Sequence, residues 1–383
     1  MTPFVGAEHG SASLDTLSGG ALAGLRVLDL SRVLAGPWST QLLGDFGADV
    51  VKVERPGAGD DTRSWGPPWL KDDAGQDSSD AAYYLCANRN KRSVTIDLAC
   101  AAGQALVRQL AAKADILVEN FKVGGLKAYG LDYESLKATN PRLIYCSVTG
   151  FGQTGPYAQR PGYDFLVQGM GGLMSLTGRA DGTPGEGPLK AGVALTDILT
   201  GLYATVAILA ALAFRERCGL GQHIDLALLD VQVATLANQA SNYLVGGKVP
   251  GRMGNAHPNI VPYQDFRTAD GYMIVTVGND SQFASLCRAL GRPQWADDER
   301  FATNAQRVAH RAVLVDLING VTQTRSTEAW VAIMEAAKVP CGPINDLAGV
   351  FRNPQVASRG MKLTMEHPAN SALPLVANPV KMS

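Results

Sequence analysis

The chain has 383 residues, two to three times the roughly 150 expected of one domain, so two domains and a sizeable core are predicted. Its 34 Lys and Arg are interleaved with 35 Asp and Glu, which leaves a formal charge of −1 and no basic clustering of the kind a nucleic-acid partner requires. The six cysteines (Cys86, Cys100, Cys146, Cys218, Cys287 and Cys341) show neither paired nor metal-ligand spacing, which argues against a disulfide framework and for buried thiols in a reducing, cytoplasmic setting.

Met1–Gly20 is rich in Gly, Ser and Thr and lacks the charged-then-apolar order of a signal peptide, so it reads as a flexible extension. Leu25–Leu30 is a strand candidate that runs into a turn-forming loop, Ser31–Trp38, and then a helix over Ser39–Phe46. Gly47 stops that helix, and Ala48–Glu54 is the next strand, which completes a βαβ unit and favours a parallel sheet. The alternation continues with a strand at Ser93–Leu98, a helix at Ala101–Ala114 and a strand at Asp115–Glu119. A helix near Tyr133–Thr139 and a strand at Arg142–Val148 follow, so the fold class is α/β with a doubly wound sheet. Ile198–Phe214 is uncharged and apolar but shorter than the ~20 residues of a membrane span, and Gly201 interrupts it; a core helix is expected and no membrane partner.

Beyond residue 245 the pattern changes. Tyr263–Phe266 and Tyr272–Val277 flank the turn Ala269-Asp270-Gly271 as an antiparallel hairpin, and helices run on to Lys338. The domain boundaries read from this are a 1–20 extension, a large domain over 21–225 and 340–383, and a linker helix with a small α+β domain over 226–339. Pro340–Ile344 is expected to lead the chain back to the large domain.

Ligands of a doubly wound sheet bind at the carboxyl ends of its strands. The first loop, Ser31–Trp38, lacks the G-x-G-x-x-G of a dinucleotide site. Glu54, ending the second strand, suits a ribose diol and keeps NAD as a rival ligand, whereas Arg55 suits a ribose that carries a phosphate, as in NADP or CoA. The run Asn88–Arg92 holds three cations, which fits either a phosphate clamp or a solvated surface. Glu119-Asn120-Phe121 closes another parallel strand. Asp197, at the start of the long apolar helix with Thr196 as its expected N-cap, would be ionised at neutral pH with an unperturbed pKa of ~3.9, and is either a nucleophile or a first-turn helix aspartate. No G-x-S-x-G, P-loop, H-E-x-x-H or C-x-x-C is present, and the five histidines (His9, His223, His257, His310, His367) are too dispersed for a metal site.

Taken together, the segments after residue 20 resemble the class III CoA-transferases of the CaiB/BaiF type. The resemblance rests on Leu25–Leu30 with Leu34-Ala-Gly-Pro37, Val51–Arg55 with Gly57–Asp60, Asn90–Ser93, Asp115–Phe121, Ser147–Pro156, the Asp197 helix start and Pro340–Pro343. Gly57–Pro68 and Asn255–Tyr263 look most like the succinyl-CoA:glutarate dicarboxylate transferases. The resemblance implies a Rossmann-like large domain, a smaller domain, and two subunits interlocked as a homodimer. It assigns the nucleophile to Asp197, CoA contacts to Val33, Ala35, Arg55, Ile96, Asn120 and Phe121, and substrate contacts to Leu34 and Tyr163. It also implies that coenzyme A or its thioester is a substrate, with no permanently bound cofactor and no metal.

The implied reaction passes CoA from an acyl-CoA to a free carboxylate through an aspartyl anhydride and an aspartyl-CoA thioester. Short dicarboxylates are the expected acids, with Arg160 and Arg252 as candidates for the distal carboxylate. Three departures from the family pattern stand out. The family's glycine-rich lid is replaced by Gly254–Asn259, which contains His257; a basic CoA-phosphate contact falls at Ala128, beside Lys127; and the family pattern continues beyond Ser383 with a Pro-rich segment and a final helix. Two alternatives accompany this reading. An acyl-CoA racemase of the same superfamily needs a histidine where Tyr163 stands, and tyrosine is a poor general base near neutrality. The other is a non-catalytic CoA-binding protein.

Overall fold

The structure, a computed structural model, describes residues 19–382, so all but Gly19 and Gly20 of the expected extension lies outside the described residues. The chain divides into two compact units. The first runs to Leu173 and resumes over Ala191–Ala240 and from Gly360 onward; the second takes Met174–Lys190 and Ser241–Arg359. These bounds differ from the 226–339 boundary drawn from the sequence.

The first unit is built on six parallel strands, β1 (Arg26–Asp29), β2 (Asp49–Glu54), β3 (Lys91–Thr95), β4 (Ile116–Glu119), β5 (Ile144–Thr149) and β6 (His223–Ala227). They lie in the order β3-β2-β1-β4-β5-β6, that of a doubly wound nucleotide-binding sheet. Successive strand residues point to opposite faces, and both faces are apolar, as a sheet covered on two sides requires. Val27, Val50, Ile116, Val118 and Ile144 pack with Leu43 of helix α1 (Ala35–Asp45) and with residues of a later helix, Ala204, Ile208 and Ala211. Leu28, Leu117 and Tyr145 face the other way, onto Val107 and Ala111 of α2 (Ala101–Ala111).

Three further helices frame the site: α3 (Asp164–Met170), α4 (Leu195–Cys218) and α5 (Leu228–Ala234). Gly201 lets α4 cross α1 closely, since a Cβ there would sit 2.8 Å from the Ala35 carbonyl oxygen and 2.9 Å from the Trp38 Cβ. Helix α4 is long and apolar enough to cross a membrane by length and composition. It buries one stripe, Ala204, Ile208 and Ala211, in the core as expected of a core helix, but exposes Leu202, Tyr203, Val206 and Leu209 on the other side.

Helix α1 begins at Ala35, four residues before the predicted start, because Pro37 falls in the first turn, where no intrahelical N–H bond is needed. In the second unit, β7 (Tyr263–Arg267) and β8 (Tyr272–Thr276) form the expected hairpin. Cys341–Pro343 adds a third strand, β9, antiparallel to β8. That segment therefore closes the second unit's sheet and does not lead the chain back; the return comes at Gly360, followed by a hairpin of Lys362–His367 and Asn370–Val376.

Candidate active site

Strands β1 and β4 are neighbours, and the sheet grows outward from them in both directions. Their carboxyl ends form the switch point where a doubly wound sheet leaves a crevice. The loop leaving β1 is held from below by a buried ionic network. Asp29 is fully buried and accepts hydrogen bonds from the Ser31 N–H at 2.9 Å, the Thr40 hydroxyl at 2.6 Å and Lys91 Nζ at 3.1 Å. Burial alone would raise its pKa, but Lys91, Lys52 and the hydroxyls of Ser31 and Thr40 together hold it at about 2. Lys52 Nζ meets Asp60 at 2.9 Å and the Ser31 carbonyl at 2.8 Å. Asp60 in turn accepts the Val33 N–H at 3.3 Å. Val33 has a φ of +70°, a left-handed conformation that strains a β-branched side chain. The network thus fixes a strained loop at the mouth of the crevice.

Two sequence expectations fail at β2 and β3 because the side chains have intramolecular partners. Glu54 is buried and accepts Arg63 Nη2 and Nε, both at 2.8 Å, the Ser93 hydroxyl at 2.6 Å and the Asp60 N–H at 2.8 Å. Burial opposes ionisation, yet these donors bring its pKa down to about 2, and no oxygen remains directed at a ribose diol. The basic run is likewise no phosphate clamp: the side chains of Arg89 and Lys91 are held in buried ion pairs, while Arg92 lies in a solvated surface pair. Arg89 is paired with Asp45, Lys91 with Asp29, and Arg92 with Asp49. Arg55 remains extended into solvent, with a 3.4 Å contact to Asp61 as its one ion pair among the described residues.

Asp197 lies in the first turn of α4, 9% exposed. Thr196 is not the N-cap: the helix starts at Leu195, and the Thr196 hydroxyl donates to Gln232 Oε1 at 2.6 Å. The cap comes from outside the helix. Asp164 Oδ1 accepts the N–H groups of Thr196 at 2.8 Å and Asp197 at 3.2 Å, while Gln168 Nε2 donates to Asp164 Oδ2 at 2.7 Å. An Asp side chain on the second and third amides of a helix is the usual N-cap bond, here supplied by another helix. Burial, with a further contribution from the Asp164 charge, raises the Asp197 pKa from 3.8 to about 7. The carboxyl is therefore not the unperturbed, fully ionised group expected from position alone.

Seven of the nine residues assigned by resemblance line one pocket of the first unit: Val33, Leu34, Ala35, Asn120, Phe121, Tyr163 and Asp197. The other two, Arg55 and Ile96, line a second pocket that shares Arg32 and Phe121 with the first. Leu34, Ala35 and Ile96 are buried, whereas Tyr163 is 65% exposed. Asn120 clamps the first loop, accepting the Arg32 N–H at 2.9 Å and donating to its carbonyl at 2.7 Å. Phe121 is covered by the Arg32 guanidinium, 5.4 Å from the ring centroid. Arg32 was not singled out from the sequence, and Asp164 was met only as the last residue of Gly162-Tyr163-Asp164, where a racemase carries Gly-His-Asp, with no role given to it.

Arg160 lines the Asp197 pocket. Arg252 and His257 belong to the second unit, where Arg252 pairs with Asp181 and His257 Nδ1 accepts the Asn259 N–H at 3.1 Å. Lys127 lines a separate small cavity with Glu119, Ser147 and His223. Burial pushes Glu119 there to about 7. Among the described residues no group of three or more His, Cys, Asp or Glu side chains is placed to hold a metal.

Residues 22–383 match the family described as CoA-transferase family III. The chain belongs to this family. The succinate–glutarate CoA-transferase of Agrobacterium fabrum is 54% identical over 362 residues, 94% of this chain and 89% of that protein. The human succinyl-CoA:glutarate CoA-transferase is 46% identical over 347 residues, 91% and 77% of the two chains. A solved CaiB/BaiF family protein from Brucella suis superposes with a TM-score of 0.83 at 53% identity, covering 95% of this chain and 93% of that one. As a family III CoA-transferase, the protein moves CoA between an acyl-CoA thioester and a free carboxylate, and CoA enters as a substrate.

Proposed function

We propose that the protein transfers CoA from succinyl-CoA to a short dicarboxylate such as glutarate, with Asp197 as the nucleophile. The observation that carries this reading is the buried Asp197 carboxyl, which shares a pocket with the β1 loop and with Asn120 and Phe121. Similarity to succinate–glutarate transferases over more than nine-tenths of the chain supports the choice of acids.

In this mechanism the ionised Asp197 attacks the thioester carbonyl of succinyl-CoA. The C–S bond breaks, CoA leaves as thiolate, and a mixed succinyl–aspartyl anhydride remains. The thiolate then attacks the aspartyl carbonyl, which expels succinate and leaves an aspartyl-CoA thioester. The acceptor carboxylate attacks that thioester, releasing thiolate and forming the second anhydride. Attack of the thiolate on the acceptor's acyl carbon gives the new acyl-CoA and restores the Asp197 carboxylate. No net proton is taken up, and every intermediate is open to hydrolysis, which favours a buried nucleophile. Val33, Ala35, Arg55, Ile96, Asn120 and Phe121 contact CoA, and Leu34 and Tyr163 the acyl group.

The protein is further read as a cytoplasmic, interlocked homodimer. Support comes from the outer face of α4, where Leu202, Tyr203, Val206 and Leu209 are all more than a third exposed and suit a protein cover. Light scattering would give twice the chain mass, and a monomer at working concentration would remove this part of the reading. The activity test is incubation of succinyl-CoA with a panel of carboxylic acids, following new thioesters by mass spectrometry, with Asp197→Ala in parallel. Unaltered transfer by the variant would overturn the assignment of the nucleophile.

A further inference from the structure

The Asp197 pocket contains three cations, Arg32, Lys122 and Arg160, and they are differently engaged. Arg32 is 3.6 Å from Asp61, lies over Phe121 and forms a wall between the two pockets. Arg160 has no carboxylate within ion-pair distance among the described residues, and its guanidinium is held by aromatic rings. The guanidinium carbon is 5.5 Å from the Phe151 ring centroid and 4.6 Å from that of Tyr157, inside the ~6 Å range of a cation–π contact. Those two rings meet edge to face at 5.7 Å.

The segment carrying Arg160 is fastened at both ends. Gly150 and Gly162 touch backbone to backbone, for a Cβ on Gly162 would lie 2.4 Å from the Gly150 Cα. The Gly150 carbonyl accepts the Leu229 N–H at 3.1 Å, and the Gln153 N–H is held by Asp225 at 3.1 Å. A planar, permanently charged fork is thus presented to the pocket on a tethered loop, with its ring partners covering part of it and no anion neutralising it. An arginine so placed recognises a carboxylate by two parallel hydrogen bonds, and prior positioning reduces the ordering that binding requires.

We infer that Arg160 reads the distal carboxylate of the acyl group and so selects dicarboxylates over monocarboxylates. This rests on the proposed transferase reading and adds the residue that sets its substrate class. Lys122 shares the pocket, but it is a point charge on a flexible stem, and among the described residues no aromatic ring holds it.

The test compares glutarate with glutaramate, the monoamide that keeps the reacting carboxylate but has an uncharged distal end, as acceptors at one saturating succinyl-CoA concentration. The ratio of their kcat/KM values is taken within each variant, so any effect on the donor half cancels. Arg160→Gln is expected to reduce the wild-type preference for glutarate by roughly ten- to a hundredfold, the range for a lost hydrogen bond to a charged group, while glutaramate transfer persists. Arg160→Lys is expected to restore part of the preference, which a purely structural role would not do. A wild-type ratio retained in Arg160→Gln would overturn the inference and leave the transferase reading intact. Equal loss of both activities would overturn it too, because the residue would then serve the shared chemistry. A wild-type enzyme with no preference would instead sink the dicarboxylate reading itself.

Discussion

The Asp164 carboxylate accepts the backbone N–H groups of both Thr196 and Asp197 and also raises the Asp197 pKa by its charge. One side chain therefore fastens the helix turn and tunes the carboxyl mounted on it. The two effects can be separated by substitution.

Asp164→Asn keeps an oxygen for the two amides and removes the charge. The Asp197 pKa should fall, so the acid limb of the kcat/KM profile should move to lower pH. Asp164→Ala should also lose the cap, which costs about 1 kcal/mol in thermal or denaturant unfolding. An Asn variant whose acid limb stays with the wild type would show that Asp164 acts on position alone.

The Lys52–Asp60 pair lies beneath the β1 loop, 1% and 0% exposed in its side chains. Lys52→Met leaves Asp60 buried without its cation, and Asp60→Leu leaves Lys52 without its anion. Either should destabilise the protein by about 3–5 kcal/mol, whereas the double variant should be much less affected, because a buried ion pair is roughly interchangeable with packed apolar groups. Additive single effects in a denaturant titration would contradict this coupling. The double variant still loses the Asp60 bond to the Val33 N–H, so its affinity for CoA should weaken even where stability recovers.

Val33 offers a test of stored strain. A β-branched residue at φ +70° costs about 1–3 kcal/mol, and glycine removes that cost. Val33→Gly should raise the unfolding midpoint or leave it unchanged despite the loss of a side chain. Its KM for acyl-CoA should rise, because the loop is then free to leave the conformation that the network imposes. A clear drop in stability would mean that the Val33 side chain contributes more by packing than its backbone costs.

Much of this arrangement was legible from local pattern, and what was missed is non-local. Strands β1, β2, β4 and β5 are buried on both faces and announce themselves as apolar runs punctuated by Gly47 and by polar loop residues. Strand β6 did not, since its first four residues alternate between exposed and partly buried at the sheet edge and only Ala227 is buried. The Asn88–Arg92 run was ambiguous because every partner is distant: Asp45, Asp29 and Asp49 are brought to it only by the parallel pairing of β2 with β1 and β3 and the packing of α1. Asp164 escaped for the same reason. It caps a helix that begins more than thirty residues later, and no spacing rule connects an N-cap to a helix other than its own.

Asp197 itself links activity to stability. As the proposed nucleophile it must be ionised, so with its pKa near 7 the kcat/KM of the wild type should rise between about pH 6 and 8 and level off above. The stability dependence has the opposite direction. The folded carboxyl holds its proton up to about pH 7, while the unfolded one releases it near the ordinary 3.8. Between those values the folded state binds more protons, so the wild type loses stability as pH rises through this window and reaches its full loss above pH 7. The three-unit gap corresponds to at most about 4 kcal/mol. Asp197→Asn, which carries no charge to bury, should therefore abolish transfer yet unfold at a higher temperature than wild type at pH 8, with the difference shrinking toward pH 4. Calorimetry of the pair across this range checks it. Melting curves that keep the same separation at every pH would mean that the carboxyl is solvated in the free enzyme, and the acid limb of the activity would then have to arise elsewhere.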